Sequence, residues 1–153
     1  MTGTSFRRLV ETAFAPFLKD LGFAPGNVTA SGRAYSATFK GPRHDLLVSY
    51  EPGDKYLLIL VSPRRSAGRG HLGESAAALR LGDLNRRYMN QVSNLERENA
   101  KRKFASIVAA DGEERRLLKA ATELFLVLPR YLALGTTPEK EVVPPLKPPQ
   151  GRR

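Results

Sequence analysis

The sequence predicts an α+β protein, in which an N-terminal helix packs on an antiparallel β-meander and is followed by a helical C-terminal half and a disordered tail. An apolar stripe with helical spacing opens the chain, three strand-like segments follow with turn residues between them, and helical spacing returns after residue 83. The 153 residues suffice for one domain with a core and are too few for two typical ones. We therefore predict a single domain over residues 1–135 and a disordered, proline-rich basic tail over residues 136–153.

The first predicted helix runs from Phe6 to the region of Gly22, a residue type that commonly ends helices. Thr4 or Ser5 is suited to cap its start, because a hydroxyl oxygen accepts a free backbone N–H there. Pro16 lies inside the pattern and lacks a backbone N–H, which predicts a kink or a split. The residues that share the apolar face are Phe6, Leu9, Val10, Ala13, Phe14, Phe17, Leu18 and Leu21.

Strands are predicted over residues 33–40, 45–51 and 55–62, where apolar side chains alternate or fill both faces. Glycine and proline residues separate these segments. Connections this short require antiparallel neighbours, because a parallel crossover needs about a dozen residues or more. Residues 75–81 are predicted as a fourth strand, with the start of a helix as the alternative.

Three helical segments are predicted in the C-terminal half. Asp83 is placed as the cap of the first segment, whose apolar phase fails over residues 93–99, so a break is expected there. A second apolar stripe covers residues 100–108. The last helix begins at Glu113, and Pro129 is expected to bend or end it.

The basic residues are concentrated in the middle of the chain. The formal net charge is +10, and residues 64–103 alone contain ten basic and four acidic residues. A field of this sign attracts nucleic acid, anionic lipid or an acidic protein surface, and the charge count does not choose among them. The predicted binding residues are Arg64, Arg65, Arg69 and His71 in a glycine-rich loop and Arg86, Arg87, Asn90, Arg97 and Lys101 on a helical face. Arg97 and Lys101 extend that face only if the helix keeps the same axis on both sides of the expected break.

Gly68, Gly70 and Gly73 in this loop have the spacing of a dinucleotide-binding motif. That motif needs its first glycine directly after a strand in a parallel βαβ unit, whereas here the strand ends near Ser62 and every preceding connection is a hairpin. We therefore predict a flexible connector and no nucleotide cofactor. Its arginines are still suited to bind a phosphate or a carboxylate without that fold.

Signatures of catalysis and metal binding are missing from the sequence. It has no cysteine, only two histidines, and neither an H-E-x-x-H nor a G-x-S-x-G motif. We predict no catalytic residue, no metal ligand and no cofactor. No uncharged apolar stretch approaches the roughly 18–20 residues that cross a bilayer, so we predict no integral membrane association. The lack of cysteine is compatible with a cytoplasmic location.

The order of "FRRLVETAFAPFLKDLGF", "YSATFK", "DLLVSYEPGDKYLLILV" and a helical second half resembles small bacterial α+β proteins of the toxin-immunity and uncharacterised-domain kind. The resemblance covers roughly residues 5–134 and carries over no catalytic residue. It implies a stoichiometric binder of a partner protein. The positive charge is a departure, because inhibitors of nucleases tend to be acidic, so a basic inhibitor would need an acidic target.

The leading hypothesis from the sequence is a non-catalytic binding module, of immunity type or regulatory, that binds an acidic protein partner through a basic surface. Sequence-nonspecific binding of nucleic acid is the alternative. An unrecognised enzyme is the third interpretation.

Removing residues 138–153 is predicted to leave the melting temperature nearly unchanged. The segment has too little apolar surface to offset the entropy lost on ordering. Thermal unfolding of the full and truncated chains measures the effect. A decrease of more than about 5 °C, which corresponds to roughly 1 kcal/mol or more in a domain of this size, would show that the tail docks on the domain.

Overall fold

The predicted first helix forms in three consecutive pieces. The computed structural model describes residues 1–64 and 78–135, and its first elements are α1 (Gly3–Leu9), a π-helical turn (Val10–Phe14) and α2 (Ala15–Asp20). Pro16 lies in the first turn of α2, where a missing backbone N–H costs little, and the preceding π-helical turn accommodates the interruption. Phe6, Phe14 and Leu18 are fully buried, so the predicted stripe faces the core across all three pieces.

The sequence predicted the C-terminal end of this helix correctly and its N-cap incorrectly. The N-cap is Thr2 rather than Thr4 or Ser5: Thr2 Oγ1 accepts the Ser5 N–H at 3.1 Å, and Ser5 Oγ accepts the Thr2 N–H at 2.9 Å. The helix starts a turn earlier than its apolar stripe, so the stripe did not reveal the cap. Gly22 follows α2 with φ 95°, a conformation that favours glycine and ends the helix as predicted.

The strands form one antiparallel sheet in the order β1-β2-β3-β4-β5. Their bounds are Ala24–Thr29, Tyr35–Lys40, His44–Glu51, Tyr56–Pro63 and Leu79–Arg80. β2, β3 and β4 confirm the three predicted strands and their antiparallel pairing. β5 is shorter than the predicted fourth strand, of which only residues 78–81 are described. The predicted tail lies outside the described residues.

β1 is a strand that the sequence analysis did not predict. It contains Pro25 and Gly26, residue types depleted in strands, and its register with β2 shifts between Pro25 and Val28. Because β1 lies at the edge of the sheet, Pro25 is not required to donate to a second neighbour. The composition of this segment is typical of a turn, so the sequence did not predict a strand there. Pairing with β2 stabilises the strand.

One face of the sheet forms the core beneath the helices. Alternate residues of β2, β3 and β4 on this face are at most 3% exposed; they are Ala37, Phe39, Leu46, Val48, Tyr50, Ile59 and Val61. On the opposite face, Leu47, Leu58 and Leu60 are partly exposed and lie outside the core. A slip of one residue would exchange the two faces, so burial fixes the register of the strands.

The C-terminal half contains α3 (Leu81–Tyr88), a 3-10 turn (Met89–Gln91), α4 (Asn94–Phe104) and α5 (Gly112–Gly135). The expected break lies at the start of its predicted interval, because Val92 is extended with φ −84° and ψ 124° and Ser93 caps α4. Asp83 is not the cap of α3. It occupies the third helical position, and its Oδ2 accepts the N–H of Arg80, the residue that takes the cap position, at 2.9 Å.

Two other boundaries differ from the prediction. α4 ends at Phe104, and Val108 of the expected second stripe is 70% exposed. α5 continues through Pro129, so of the two expected effects of this proline, a bend or an end, the end is wrong and the bend stays a prediction. Tyr131, beyond the proline, is buried with its ring centroid 5.2 Å from that of His44, so tertiary packing stabilises the last turns despite the missing backbone donor.

Helix α5 connects the N-terminal helix to the rest of the C-terminal half. The ring of Phe125 lies edge-on to Phe17 of α2 at 5.5 Å and to Phe104 of α4 at 5.6 Å between centroids. At the start of α5, the buried Glu114 accepts a bond from Arg8 of α1 at 3.0 Å. No helix within the described ranges is long and apolar enough to cross a membrane.

Replacing Ser93 with alanine is expected to destabilise the protein by about 1 kcal/mol. The reason is that Ser93 Oγ accepts the Glu96 N–H at 3.1 Å at the start of α4. Ser106→Ala, at an exposed position after α4, is the matched control and should change the free energy of unfolding by less than about 0.5 kcal/mol. Urea unfolding compares the two variants, and equal effects would contradict the role of the cap.

Stability is expected to decrease as the pH falls below 6.5, because burial lowers the pKa of His44 from that value. Over this range the unfolded chain binds a proton that the folded protein does not. The contribution of His44 is therefore complete above pH 6.5 and is lost as the pH falls toward the lower pKa of the folded state. Urea unfolding between pH 7 and 5 should show a smaller pH dependence in His44→Gln, and an unchanged dependence would count against this assignment.

Candidate binding groove

A groove of about 530 Å³ lies between β4 and the start of α3. Its walls are Tyr56–Ile59 of β4, Arg80–Asp83 at the junction of β5 and α3, Asn85 and Arg86 of α3, and Arg116 and Glu123 of α5. The groove exists because β5 has only two residues, after which the chain turns into α3 and leaves this part of β4 uncovered.

The backbone of β4 is unpaired where it borders the groove. β3 pairs with β4 along its whole length, whereas β5 pairs only with Leu60 and Val61. The Arg64 N–H donates to the Arg43 carbonyl oxygen at 2.8 Å, so even-numbered residues of β4 bond to β3 and odd-numbered residues direct their backbone groups to the other side. Leu57 therefore directs its N–H and C=O toward the groove, beyond the reach of β5.

Both carboxylates that line the groove are already bonded to neighbours. Asp83 accepts bonds from the Arg80 N–H at 2.9 Å and from the Arg86 guanidinium, and these contacts lower the pKa of Asp83. Glu123 Oε1 accepts a bond from Asn85 Nδ2 at 3.1 Å. Each also lies beside a cation, Asp83 beside Arg86 and Glu123 3.8 Å from Lys119 Nζ, so part of their negative charge is offset before any partner binds.

Arg116 stands at one end of the unpaired edge. Its Nη1 donates to the Lys55 carbonyl oxygen at 2.5 Å. Within residues 1–64 and 78–135, the side chains of Arg80 and Arg116 form no ion pair. Two guanidinium groups are thus available to an anionic partner, and arginine is suited to bind carboxylates through two parallel hydrogen bonds.

The structure places the predicted residues of the helical face on two helices and on the turn between them. Arg86 and Arg87 are exposed on α3, Asn90 is exposed in the 3-10 turn, and Arg86 lines the groove. The helix axis does not continue through the break, since the chain turns at Val92. Residues 97 and 101 belong to α4 and do not extend the face of α3.

Arg97 and Lys101 each have a contact of their own on α4. The Nη2 of Arg97 donates to the Met89 carbonyl oxygen at 3.0 Å. The Nζ of Lys101 lies 3.6 Å from Glu98 Oε2. Neither residue lines the groove.

Arg64 lies just beyond the end of β4 and does not line the groove. Its Nη1 donates to the Gly41 carbonyl oxygen at 2.9 Å, and its Nε is 3.6 Å from Asp45 Oδ1. It is five residues from Ile59, or about 16 Å along the strand. The other predicted loop residues, Arg65, Arg69 and His71, lie outside the described residues.

Sequence reasoning missed Arg80, Arg116 and the open edge of β4. Arg116 reaches the groove only because α5 packs against the sheet, and no local pattern carries that information. No sequence signal was present for the open edge, because the predicted fourth strand, residues 75–81, is about as long as the predicted third strand, residues 55–62.

The described residues contain no group of three or more histidine, cysteine, aspartate or glutamate side chains that could hold a metal ion. The described histidine, His44, is 6% exposed and packs against Tyr131.

The fold and the groove together define an α+β protein with arginines beside an open strand edge. In comparisons with known proteins, no protein-family model, no curated protein and no solved structure matches the chain. The resemblance to toxin-immunity proteins therefore stays a prediction.

Proposed function

We propose that the protein is a non-catalytic binding module that binds an acidic segment of a partner protein in the groove between β4 and α3. One observation carries the proposal: Arg80, Arg86 and Arg116 come from three separate elements and meet at one groove whose carboxylates are already bonded. Charge-assisted bonds from arginine to carboxylates are among the stronger polar contacts in proteins.

A protein partner suits this geometry better than nucleic acid does. Binding to a nucleic-acid backbone uses a row of cations that neutralise successive phosphates. The cations of the predicted row are divided between α3 and α4, and Arg97 and Lys101 already contact groups of their own helices and turn. The net charge of +10 would still accelerate the encounter with any acidic partner.

Arg80→Ala and Arg116→Ala are each expected to weaken binding of a fluorescent peptide with alternating glutamate and valine about tenfold, which equals about 1.4 kcal/mol. Each change removes a guanidinium that can bond a carboxylate in the groove. Arg115→Ala is the matched control, because Arg115 is the exposed neighbour of Arg116 on α5 and does not line the groove. Fluorescence anisotropy at several salt concentrations measures the dissociation constants.

Two results would contradict the proposed function. One is an equal loss of affinity in Arg115→Ala, which would mean that only net charge matters. The other is equal binding of a peptide in which lysine replaces glutamate.

Titration of labelled single- and double-stranded DNA and RNA tests the alternative function. If nucleic acid is the partner, log K should fall by about 0.7 to 0.9 per phosphate contact for each unit of log salt. Replacing Arg64, Arg65 and Arg69 together should then flatten this slope by about 2 to 3 units. Strong binding of this kind, without binding of the acidic peptide, would replace the proposed function by the alternative.

A further inference from the structure

The open edge of β4 has unpaired backbone N–H and C=O groups, for which the proposed function, based on charge, gives no role. Residues Tyr56–Ile59 have no paired strand on the side of α3, and Leu57 directs its N–H and C=O there. Unpaired groups on a strand edge are a ready template for another strand. We infer that the acidic partner segment binds as an added β-strand along this edge, an inference that rests on the proposed function and specifies its geometry.

The edge accommodates about four residues of an added strand. The contact of Arg116 with the Lys55 carbonyl closes one end, and β5 begins to pair at Leu60 at the other. Four strand residues span about 13 Å. The partner therefore contributes a short extended segment, and side-chain contacts must supply much of the specificity.

The side chains of the added strand would alternate between two environments. Leu57 points toward the helices, on the side where Arg86 and Arg116 line the groove. Tyr56 and Leu58 point to the opposite face of the sheet, where Tyr56 is 42% exposed. Because neighbouring strands contact through side chains on the same face, the partner segment should alternate acidic residues with apolar ones.

Charge favours a separate partner over the occupants that the chain itself could provide. A second copy pairing edge to edge would bring two sets of groove arginines together, on chains of charge +10 each. Residues 65–77 contain two arginines and one glutamate, and residues 136–153 contain four basic and two acidic residues. Both segments are net positive, so an acidic segment of another protein is the occupant that fits.

Amide hydrogen exchange, resolved by residue with NMR, tests the added strand in the full chain. The probe is the peptide with alternating glutamate and valine. Saturation with this peptide should slow exchange of the Leu57 amide at least tenfold, because the amide then bonds to the peptide backbone. Leu58 is the internal control, since its N–H bonds to Ser49 of β3 whether or not the peptide is bound.

Backbone N-methylation of the peptide separates strand addition from charge alone. Two peptides with the same side chains are compared, one methylated at the glutamates and one at the valines. Only alternate residues of a strand direct their backbone N–H to a given neighbour, and a methylated nitrogen cannot donate. One peptide should therefore lose binding at least tenfold and the other should not.

The outcomes distinguish this inference from the proposed function. Binding with equal effects of both methylation patterns and no protection of Leu57 would overturn strand addition and leave the acidic-segment function in place. No binding of any acidic peptide would overturn both, and would mean that the arginines only protect an exposed strand edge from pairing.

Discussion

Burial of one face of the sheet beneath the helices is the constraint on which the rest of the structure depends. This burial selects which residues of β2, β3 and β4 face inward, and it thereby fixes the register of the strands. The register in turn decides which backbone groups of β4 bond to β3 and which are left on the side of α3. The direction of the Leu57 N–H and C=O, and with it the open edge, is therefore a consequence of core packing.

Several carboxylates contribute to the fold at the starts of helices. Glu96 accepts the Ser93 N–H at 2.8 Å and bonds to Arg130 at 3.0 Å, contacts that lower its pKa, and Glu114 accepts the Ala110 N–H at 2.9 Å. These acids satisfy free N–H groups at helix starts, where negative charge is favourable. Several acidic residues thus have roles within the fold, and the arginines paired with them, Arg8 and Arg130, are used there as well.

The sequence was sufficient to predict elements whose signal is periodic and local. The apolar stripe beginning at Phe6 and the alternation in β2 to β4 reflect burial directly. It was insufficient where tertiary contacts override local preference: β1 forms despite Pro25 and Gly26, and α5 passes Pro129 because Tyr131 is buried beyond it. For the groove, Arg86 was predictable from its helical face, whereas Arg116 enters only through the packing of α5.

One local feature of the sequence creates the groove. After Arg80 the chain turns into α3, and Asp83 accepts the Arg80 N–H in a contact typical of helix starts. Had residues 81–84 continued as a strand, they would have paired with Tyr56–Ile59 and satisfied the backbone of Leu57. Asp83 also bonds to Arg86 and holds that guanidinium beside the uncovered edge. The carboxylate that bonds to the backbone at the start of α3 is thus also the one that positions an arginine beside the open edge.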